Sequence, residues 1–422
     1  MESFPVSQPN GETVFALRDP EGFAGAVVLP YQAALLASLM DGSRTLAELQ
    51  LVLQDRIKQP VALADVEGVV RALDERNFLD TEQFRRLWKL EIERYLNLRV
   101  RPAAHVGGAY AEDPAALRQQ LAALFTDPKG PGEVTVLDTT VVDRTNGNAS
   151  AISGTLRGII SPHIDLRRGG LSFAWAYKKL AEESDADLFI ILGTGHNPMR
   201  NRFALTKKDF DTPLGAVETD RTFVARLAAR MAATPGGQDI SLYGDELAHR
   251  QEHSIEFQAL FLQYLLGDRR PFKIVPILTG SFHEFVAAKT SPGSSPEVAG
   301  FVSALRGAVA EYKGRVCFIA SADLAHIGRR YGDQALLDAA RLQQQSETDR
   351  RLMAAACAPD ADAFFQQIAE RDDRDRVCGL SPIYTMLAAT QPQRGELLRY
   401  DQAVELDGTS CVSFASAAFY DG

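Results

Sequence analysis

The sequence predicts an α/β protein in which a mixed or mostly parallel sheet is covered by helices and preceded by a small helical module. From residue 155 onwards, short and continuously apolar segments such as 187–192 and 273–279 alternate with amphipathic segments of helical length. Strands that are apolar at every position are typical of sheets that helices bury on both faces. The length of 422 residues exceeds that of an average domain and favours two domains.

Composition narrows the class of function. Hydrophobic residues make up 45% of the chain and charged residues 24%, which is ordinary for a globular protein. The net charge is −10 and no long Lys/Arg run occurs, so we expect no nucleic-acid partner. No apolar run is long enough to cross a membrane, and the first residues do not resemble a signal peptide. Four cysteines without a C-x-x-C pair suit the reducing cytoplasm, where we expect the protein.

Residues 1–100 are expected to form the small module. Thr45 followed by Glu48 predicts a capping box at the start of a helix. The predicted segments are two short strands around a turn at 19–22, helices at 31–40, from 45, at 64–76 and at 81–100, and a wing that begins at 77–80.

The motifs L-x-D-G-x-R-T-L-x-E-L and V-V-R-A-L-D-E-R-N-F-L of this module resemble the winged-helix modules of the PqqD-like type. Such modules recognise peptides by adding a strand to a sheet edge. The resemblance therefore implies docking of a peptide or protein ligand. A helical cap or a dimer contact is the alternative.

Residues 101–150 are rich in Ala, Pro, Gly and Asp, and we interpret them as a connector with one helix near 113–125. Residues 151–422 then form the α/β domain. Its predicted strands are 155–160, 187–192, 273–279, 315–321, 396–404 and 410–419, and its predicted helices are 171–183, 218–234, 247–266, 296–312, 333–347, 349–357, 361–370 and 379–390.

Three of the predicted strands are followed within a few residues by histidine. His163 and His196 each follow an apolar strand, and a third strand runs into Asp323 and then His326. Ligands of such sheets collect beyond the carboxyl ends of the strands, and imidazoles beside a carboxylate suit a divalent transition metal. Each residue taken alone also fits an ordinary loop histidine or, for Asp323, a helix N-cap.

A set of ordered motifs extends over residues 155–390. They are S-P-H, I-I-L-G-x-x-H, T-P-L-G, E-H-S-I-E, I-V-P-I-L-x-G, S-x-D-x-x-H and C-G-x-x-P-I. In this order they resemble the Memo family, known in bacterial genomes as protein B of the AmmeMemoRadiSam system. The family shares its fold with LigB-type class III extradiol dioxygenases.

The Memo resemblance implies a metal site and its neighbours. It assigns the ligands His163, His196 and Cys378, and the proton-handling residues Asp323, His326, His253 and Glu256. Imidazole and thiolate ligands favour iron or copper, with zinc possible. The implied function is that of a metal-dependent, dioxygenase-like oxidoreductase that works with a radical-SAM protein. A non-catalytic metal-binding or scaffold component is the alternative. Asn197 and Ser381 stand where many members carry histidine, which leaves the substrate open.

A second motif competes with this interpretation. His249-Arg-Gln-Glu252-His253 matches H-x-x-E-H. Two imidazoles four residues apart on one helix can bind zinc, with the glutamate as general base. A zinc metallopeptidase is therefore the third hypothesis, although the Memo resemblance gives His249 no role.

Overall fold

The protein divides into two compact units, residues 1–97 and residues 98–422. The computed structural model describes residues 2–7, 13–19, 23–137, 155–358 and 360–421. In the described parts, no helix is long and apolar enough to cross a membrane.

The N-terminal unit combines a three-stranded antiparallel sheet with four helices in its described part, and the strand order is β1-β2-β3. Its elements are β1 (Glu2–Ser7), β2 (Thr13–Arg18), β3 (Val27–Leu29), α1 (Tyr31–Ser38), α2 (Leu46–Ile57), α3 (Leu63–Asp74) and α4 (Glu82–Asn97).

The predicted capping box of this unit is confirmed, since the Thr45 side chain accepts from the Glu48 N–H and the Glu48 carboxylate accepts from the Thr45 N–H. The wing predicted to begin at residues 77–80 is not formed by the described residues there. Asn77 has a φ of 62°, and the chain turns there and enters α4. Residues 20–22 of the predicted turn lie outside the described residues.

The larger unit contains the α/β sheet. Its elements are β4 (Val100–Arg101), α5 (Pro114–Thr126), β5 (Leu156–Ser161), α6 (Leu166–Glu183), β6 (Leu188–Thr194), β7 (Phe203–Leu205), β8 (Asp209–Phe210), α7 (Arg221–Ala232), α8 (His253–Leu266), β9 (Lys273–Thr279), α9 (His283–Ala288), α10 (Pro296–Ala310), β10 (Val316–Ser321), β11 (Asp323–Ile327), α11 (Ala339–Cys357), α12 (Ala361–Ala369), α13 (Leu380–Thr390), β12 (Arg394–Val404) and β13 (Cys411–Tyr420).

The described strands of this sheet run in the order β11-β13-β5-β10-β6-β9-β7, and β12 pairs with β13. The four central strands β5, β10, β6 and β9 are parallel to one another, whereas β7, β11, β12 and β13 pair antiparallel with their neighbours. The predicted mostly parallel α/β architecture is therefore confirmed.

Helices bury both faces of the sheet. Along β6, Ile190 and Leu192 belong to one apolar cluster, and Phe189 and Ile191 belong to the other. The first cluster includes residues of α7, α10, α12 and α13, and the second includes residues of α5, α6 and α8. This arrangement explains why the strands are apolar at successive positions and do not alternate.

The described part of the predicted connector is packed into the larger unit. β4 pairs with β8, and Leu117, Leu121 and Phe125 of α5 are buried in the second apolar cluster. The helix expected near residues 113–125 is present as α5, and its buried face packs in this cluster. Residues 138–150 lie outside the described residues.

Candidate metal centre

Three adjacent parallel strands deliver polar residues to one edge of the sheet. In the register of this sheet, Ser321 at the end of β10 is opposite Ser161 of β5 and Gly193 of β6. His163, His196 and Asp323 follow these positions by two or three residues. The expected convergence at the carboxyl ends of the strands follows from this register.

The amino end of α8 closes over the same edge. Its N-cap is Glu252 and its first residue is His253. A β-carbon at Gly193 would lie 2.6 Å from Ile255 Cγ1 and 2.7 Å from Ser254 Oγ. Glycine at this strand position therefore permits the close approach of α8, which carries a third imidazole to the strand ends.

His163, His196 and His253 form a compact cluster of imidazoles. Their ring centroids lie 5.0 Å apart for His163 and His196, 5.4 Å for His163 and His253, and 4.7 Å for His196 and His253. One nitrogen from each ring lies within 4.8 Å of the other two. Such a set of nitrogen donors fits a transition-metal ion.

Hydrogen bonds orient two of these rings. His163 Nδ1 lies 3.0 Å from the Ser321 carbonyl oxygen, and His196 Nδ1 lies 3.0 Å and 3.1 Å from the Glu252 carboxylate oxygens. Because a carbonyl and a carboxylate accept hydrogen bonds, each Nδ1 carries the proton and each Nε2 keeps its lone pair for a ligand. His253 Nδ1 also faces Glu252, at 3.3 Å.

Cys378 and Asp323 flank His163 on another side. Cys378 Sγ lies 3.2 Å from His163 Nε2, and Asp323 Oδ2 lies 3.6 Å from the same nitrogen. His163, Asp323 and Cys378 form the second group in the described chain whose possible ligand atoms lie within 4.8 Å of one another. The predicted ligands His163, His196 and Cys378 are thus divided between two groups that share His163.

Close backbone packing places Cys378. The Gly379 N–H donates to the Asp323 carbonyl at 2.9 Å, and the Cys378 N–H donates to the Leu324 carbonyl at 3.3 Å. A β-carbon at Gly379 would lie 2.5 Å from the Asp323 carbonyl oxygen. The C-G pair of the sequence motif therefore has a steric reason: only glycine allows this approach to β11.

Burial sets the charge states in the centre. It lowers the pKa of His163 and of His253 to about 3, so both rings are neutral at pH 7. Burial, followed by the charge of Asp323, raises the pKa of the Cys378 thiol well above its usual value. Burial also acts to lower the pKa of His196, but the hydrogen bond and charge of Glu252 outweigh it and raise that pKa.

Two predicted proton-handling residues lie apart from these groups. The Glu256 carboxylate accepts hydrogen bonds from Arg101 Nη1, the Ala104 and His105 N–H groups and Tyr110 Oη, and these occupy its two oxygens. His326 lies on β11, where it is outside both groups and its Nδ1 is 3.2 Å from the Leu324 carbonyl oxygen. Asp323 is the first residue of β11, so the alternative interpretation of Asp323 as a helix N-cap is wrong.

The H-x-x-E-H segment does not form the arrangement that a zinc peptidase needs. His249 ends a 3-10 helix, whereas His253 begins α8, so the two imidazoles do not share one helix face. His249 Nε2 lies 3.2 Å from the Ala204 carbonyl oxygen, and His249 is in neither possible ligand group of the described residues.

Two contributions were missed by the sequence interpretation. Glu252, considered only as a peptidase base, accepts from the His196 N–H at 2.9 Å and orients the His196 ring. His105, assigned to the connector, lies with its ring centroid 5.6 Å from that of His253. The capping pattern of Glu252 ahead of α8 could have indicated the first role, but no local signal marks His105.

Comparison with known proteins agrees with this architecture. The sequence model of the family described as "Memo-like protein" matches residues 101–418. A MEMO1 family protein of Aquifex aeolicus is 28% identical over 416 residues, which are 98% of this chain and 97% of that protein. A MEMO1 family protein of Methanopyrus kandleri is 28% identical over 328 residues, 76% of this chain and 99% of that protein. The chain therefore belongs to the Memo family.

Proposed function

We propose that the protein binds one transition-metal ion at His163, His196 and His253 and serves an oxidoreductase-type reaction. The convergence of three imidazoles, two of them with Nδ1 held by a hydrogen bond, carries this proposal. Imidazoles beside a thiol favour iron or copper and also accommodate zinc. A bound ion of this kind supplies redox or Lewis-acid chemistry.

The neighbouring side chains would hold protons and ligands for this reaction. Cys378 is a neutral thiol beside His163 Nε2, and it would lose its proton on becoming a further ligand. Asp323 accepts from the His163 N–H at 3.0 Å and so fixes the backbone of that ligand. Its other oxygen faces His163 Nε2 and can hold a proton at the edge of the cluster.

Metal analysis of the full chain, purified without oxygen, tests the proposal. We expect about one ion of iron or copper per chain in the wild type and a large loss in His163→Ala and His196→Ala. His283→Ala is the matched control, because this imidazole is 67% exposed and outside both possible ligand groups. Equal loss in the control, or no metal in the wild type, contradicts the proposal.

Redox behaviour separates the enzyme from its alternative. If the bound ion cycles between oxidation states with a reductant and dioxygen, the oxidoreductase function stands. If the ion is held without redox change, the favoured function is that of a non-catalytic metal-binding or scaffold component.

We further propose that the N-terminal unit docks a peptide or a protein, and that a radical-SAM protein is the partner in the cytoplasm. β3 is an edge of the three-stranded sheet, and Val28 on it is 56% exposed, which suits strand addition. The free state of all four cysteines fits a reducing compartment. Co-purification of a radical-SAM protein with the wild type, and its loss with Val28→Asp, is the expected result.

A further inference from the structure

One charged residue outside the imidazole cluster is completely enclosed. The Arg101 side chain has 0% exposure, as does that of its ion-pair partner Glu256. Burial of a guanidinium is costly unless charge and hydrogen bonds compensate for the lost water. The hydrogen-bonding partners of Arg101 must therefore compensate for the loss of its hydration.

The partners of Arg101 lie around the amino end of α8. Its Nε donates to the His249 carbonyl at 2.6 Å and its Nη2 donates to the Glu252 carbonyl at 2.7 Å. Its Nη1 donates to the Glu256 carboxylate at 2.6 Å. The planar guanidinium thus joins the 3-10 helix that ends at His249, the N-cap of α8 and the first turn of α8.

Glu256 extends the connection to the segment that follows Arg101. Its oxygens accept from the N–H groups of Ala104 and His105, both at 2.9 Å, and from Tyr110 Oη at 2.5 Å. His105 Nε2 then lies 2.9 Å from the Gln251 carbonyl oxygen. The segment from Arg101 to Tyr110 is therefore fastened to the turn that presents Glu252 and His253.

We propose that Arg101, acting with Glu256, is a positioning residue of the metal centre. The pair fixes the turn that carries Glu252, which orients His196, and His253, which supplies a ligand. It thereby sets the metal affinity without contacting the metal. The inference rests on the proposed metal binding at His163, His196 and His253.

A role in stability alone predicts a different outcome. Any buried ion pair stabilises the fold against removal of one partner. A positioning role requires in addition that small changes at the pair alter the ligand field of a protein that remains folded. Affinity and spectrum of the bound ion therefore distinguish the two roles.

The test uses Co²⁺ as the probe ion and the full chain with Arg101→Lys and Glu256→Gln. Lysine keeps the charge of Arg101 but cannot donate to the His249 carbonyl, the Glu252 carbonyl and the residue 256 side chain at once. Glutamine keeps the shape of Glu256 but not its charge. We expect both variants to bind about one Co²⁺ per chain, about 10–100-fold more weakly than the wild type, with a shifted visible absorption spectrum. Competition with a chromophoric chelator measures the affinity.

Asp349→Asn is the matched control. Asp349 is another carboxylate with 1% exposure, and its partners Gln345 of α11 and Tyr400 of β12 belong to elements that pack in the first apolar cluster, whereas α8 packs in the second. We expect this variant to lose thermal stability but to keep the Co²⁺ affinity within about twofold of the wild type, because it does not contact α8.

The outcomes separate the inference from the proposed function. Wild-type binding with unchanged affinity and spectrum in both variants overturns the inference alone. Absence of binding by the wild type overturns the proposed function and the inference with it. If Arg101→Lys does not fold, Glu256→Gln and the milder Tyr110→Phe decide the question, and weaker Co²⁺ binding by both is the supporting result.

Discussion

Replacing Glu252 with glutamine should weaken the metal centre while leaving the overall fold intact. Glu252 Oε2 accepts from the His196 N–H at 2.9 Å, and Oε1 accepts from the Ser254 N–H at 3.0 Å. Both oxygens also face His196 Nδ1, at 3.0 Å and 3.1 Å. Whichever way the Glu252→Gln amide is turned, its NH2 group meets a backbone N–H donor.

The magnitude follows from these contacts. A buried donor left without an acceptor costs about 1–3 kcal/mol, and a hydrogen bond to a charged group exceeds a neutral one by about 1–1.5 kcal/mol. Loss of a carboxylate that orients a ligating histidine reduces metal affinity about 10–100-fold, or about 1.4–2.7 kcal/mol. We therefore expect Glu252→Gln to bind Co²⁺ 10–100-fold more weakly and to unfold about 1–3 kcal/mol more easily.

Chelator competition and chemical denaturation measure the two quantities. Asp220→Asn is the control, because Asp220 caps α7 through the Phe223 N–H but has no imidazole partner in its described hydrogen bonds. This control should lose stability and keep its affinity. If Glu252→Gln also keeps its affinity within about twofold while its stability falls, Glu252 only caps α8 and the orienting role is refuted.

Four further predictions concern Cys378, His249 and the N-terminal unit. In weakly buffered solution at pH 7, metal binding should release a proton from the Cys378 thiol, and Cys378→Ser should lower the release by about one proton per chain; an unchanged release would exclude this thiol as a source. His249→Asn should keep the metal affinity, and a tenfold loss would restore the H-x-x-E-H hypothesis. Burial lowers the pKa of His249 from 6.5 to about 3. As pH falls, the unfolded chain therefore binds a proton at His249 before the folded chain does. The contribution of neutral His249 to the stability of the fold is complete above pH 6.5 and is lost between pH 6.5 and pH 3. His249→Asn should therefore show a shallower loss of stability over that range, and parallel denaturation curves would contradict the assignment. Deletion of residues 1–97 should leave metal affinity unchanged while abolishing partner co-purification, and aggregation of the shortened chain would favour a structural role for the N-terminal unit.

The strand-end histidines could be predicted because their position follows from local pattern. An apolar strand followed by His163 or His196 places the imidazole beyond the carboxyl end of the strand, whatever the remaining chain does. Parallel pairing then brings adjacent ends together, and β10 between β5 and β6 does so here. The sheet and the positions of the His163 and His196 imidazoles could therefore be predicted from the sequence alone.

The roles of α8 could not be predicted in this way. His253 and Glu256 are three residues apart, and a continuous helical pattern predicts that both face the pocket. In the structure, His253 joins the imidazoles, whereas Glu256 faces Arg101, a residue 155 positions earlier in the chain. The orientation of Glu256 therefore depends on Arg101, which is remote in sequence. Arg101 itself lies in a segment whose composition predicted a connector.

His253, the third nitrogen donor, likewise owes its place to packing that is remote from its local sequence. The distance of His253 from His163 and His196 depends on how closely α8 approaches β6. That close approach is possible because glycine at position 193 has no side chain. In the sequence, Gly193 is equally compatible with an ordinary turn after the strand. Once the helix is in place, Glu252 faces both His196 and His253, so one carboxylate is placed to orient the ring from the strand end and the ring from the helix. The packing of α8 on β6 thus links the fold to the proposed chemistry more directly than any single motif does.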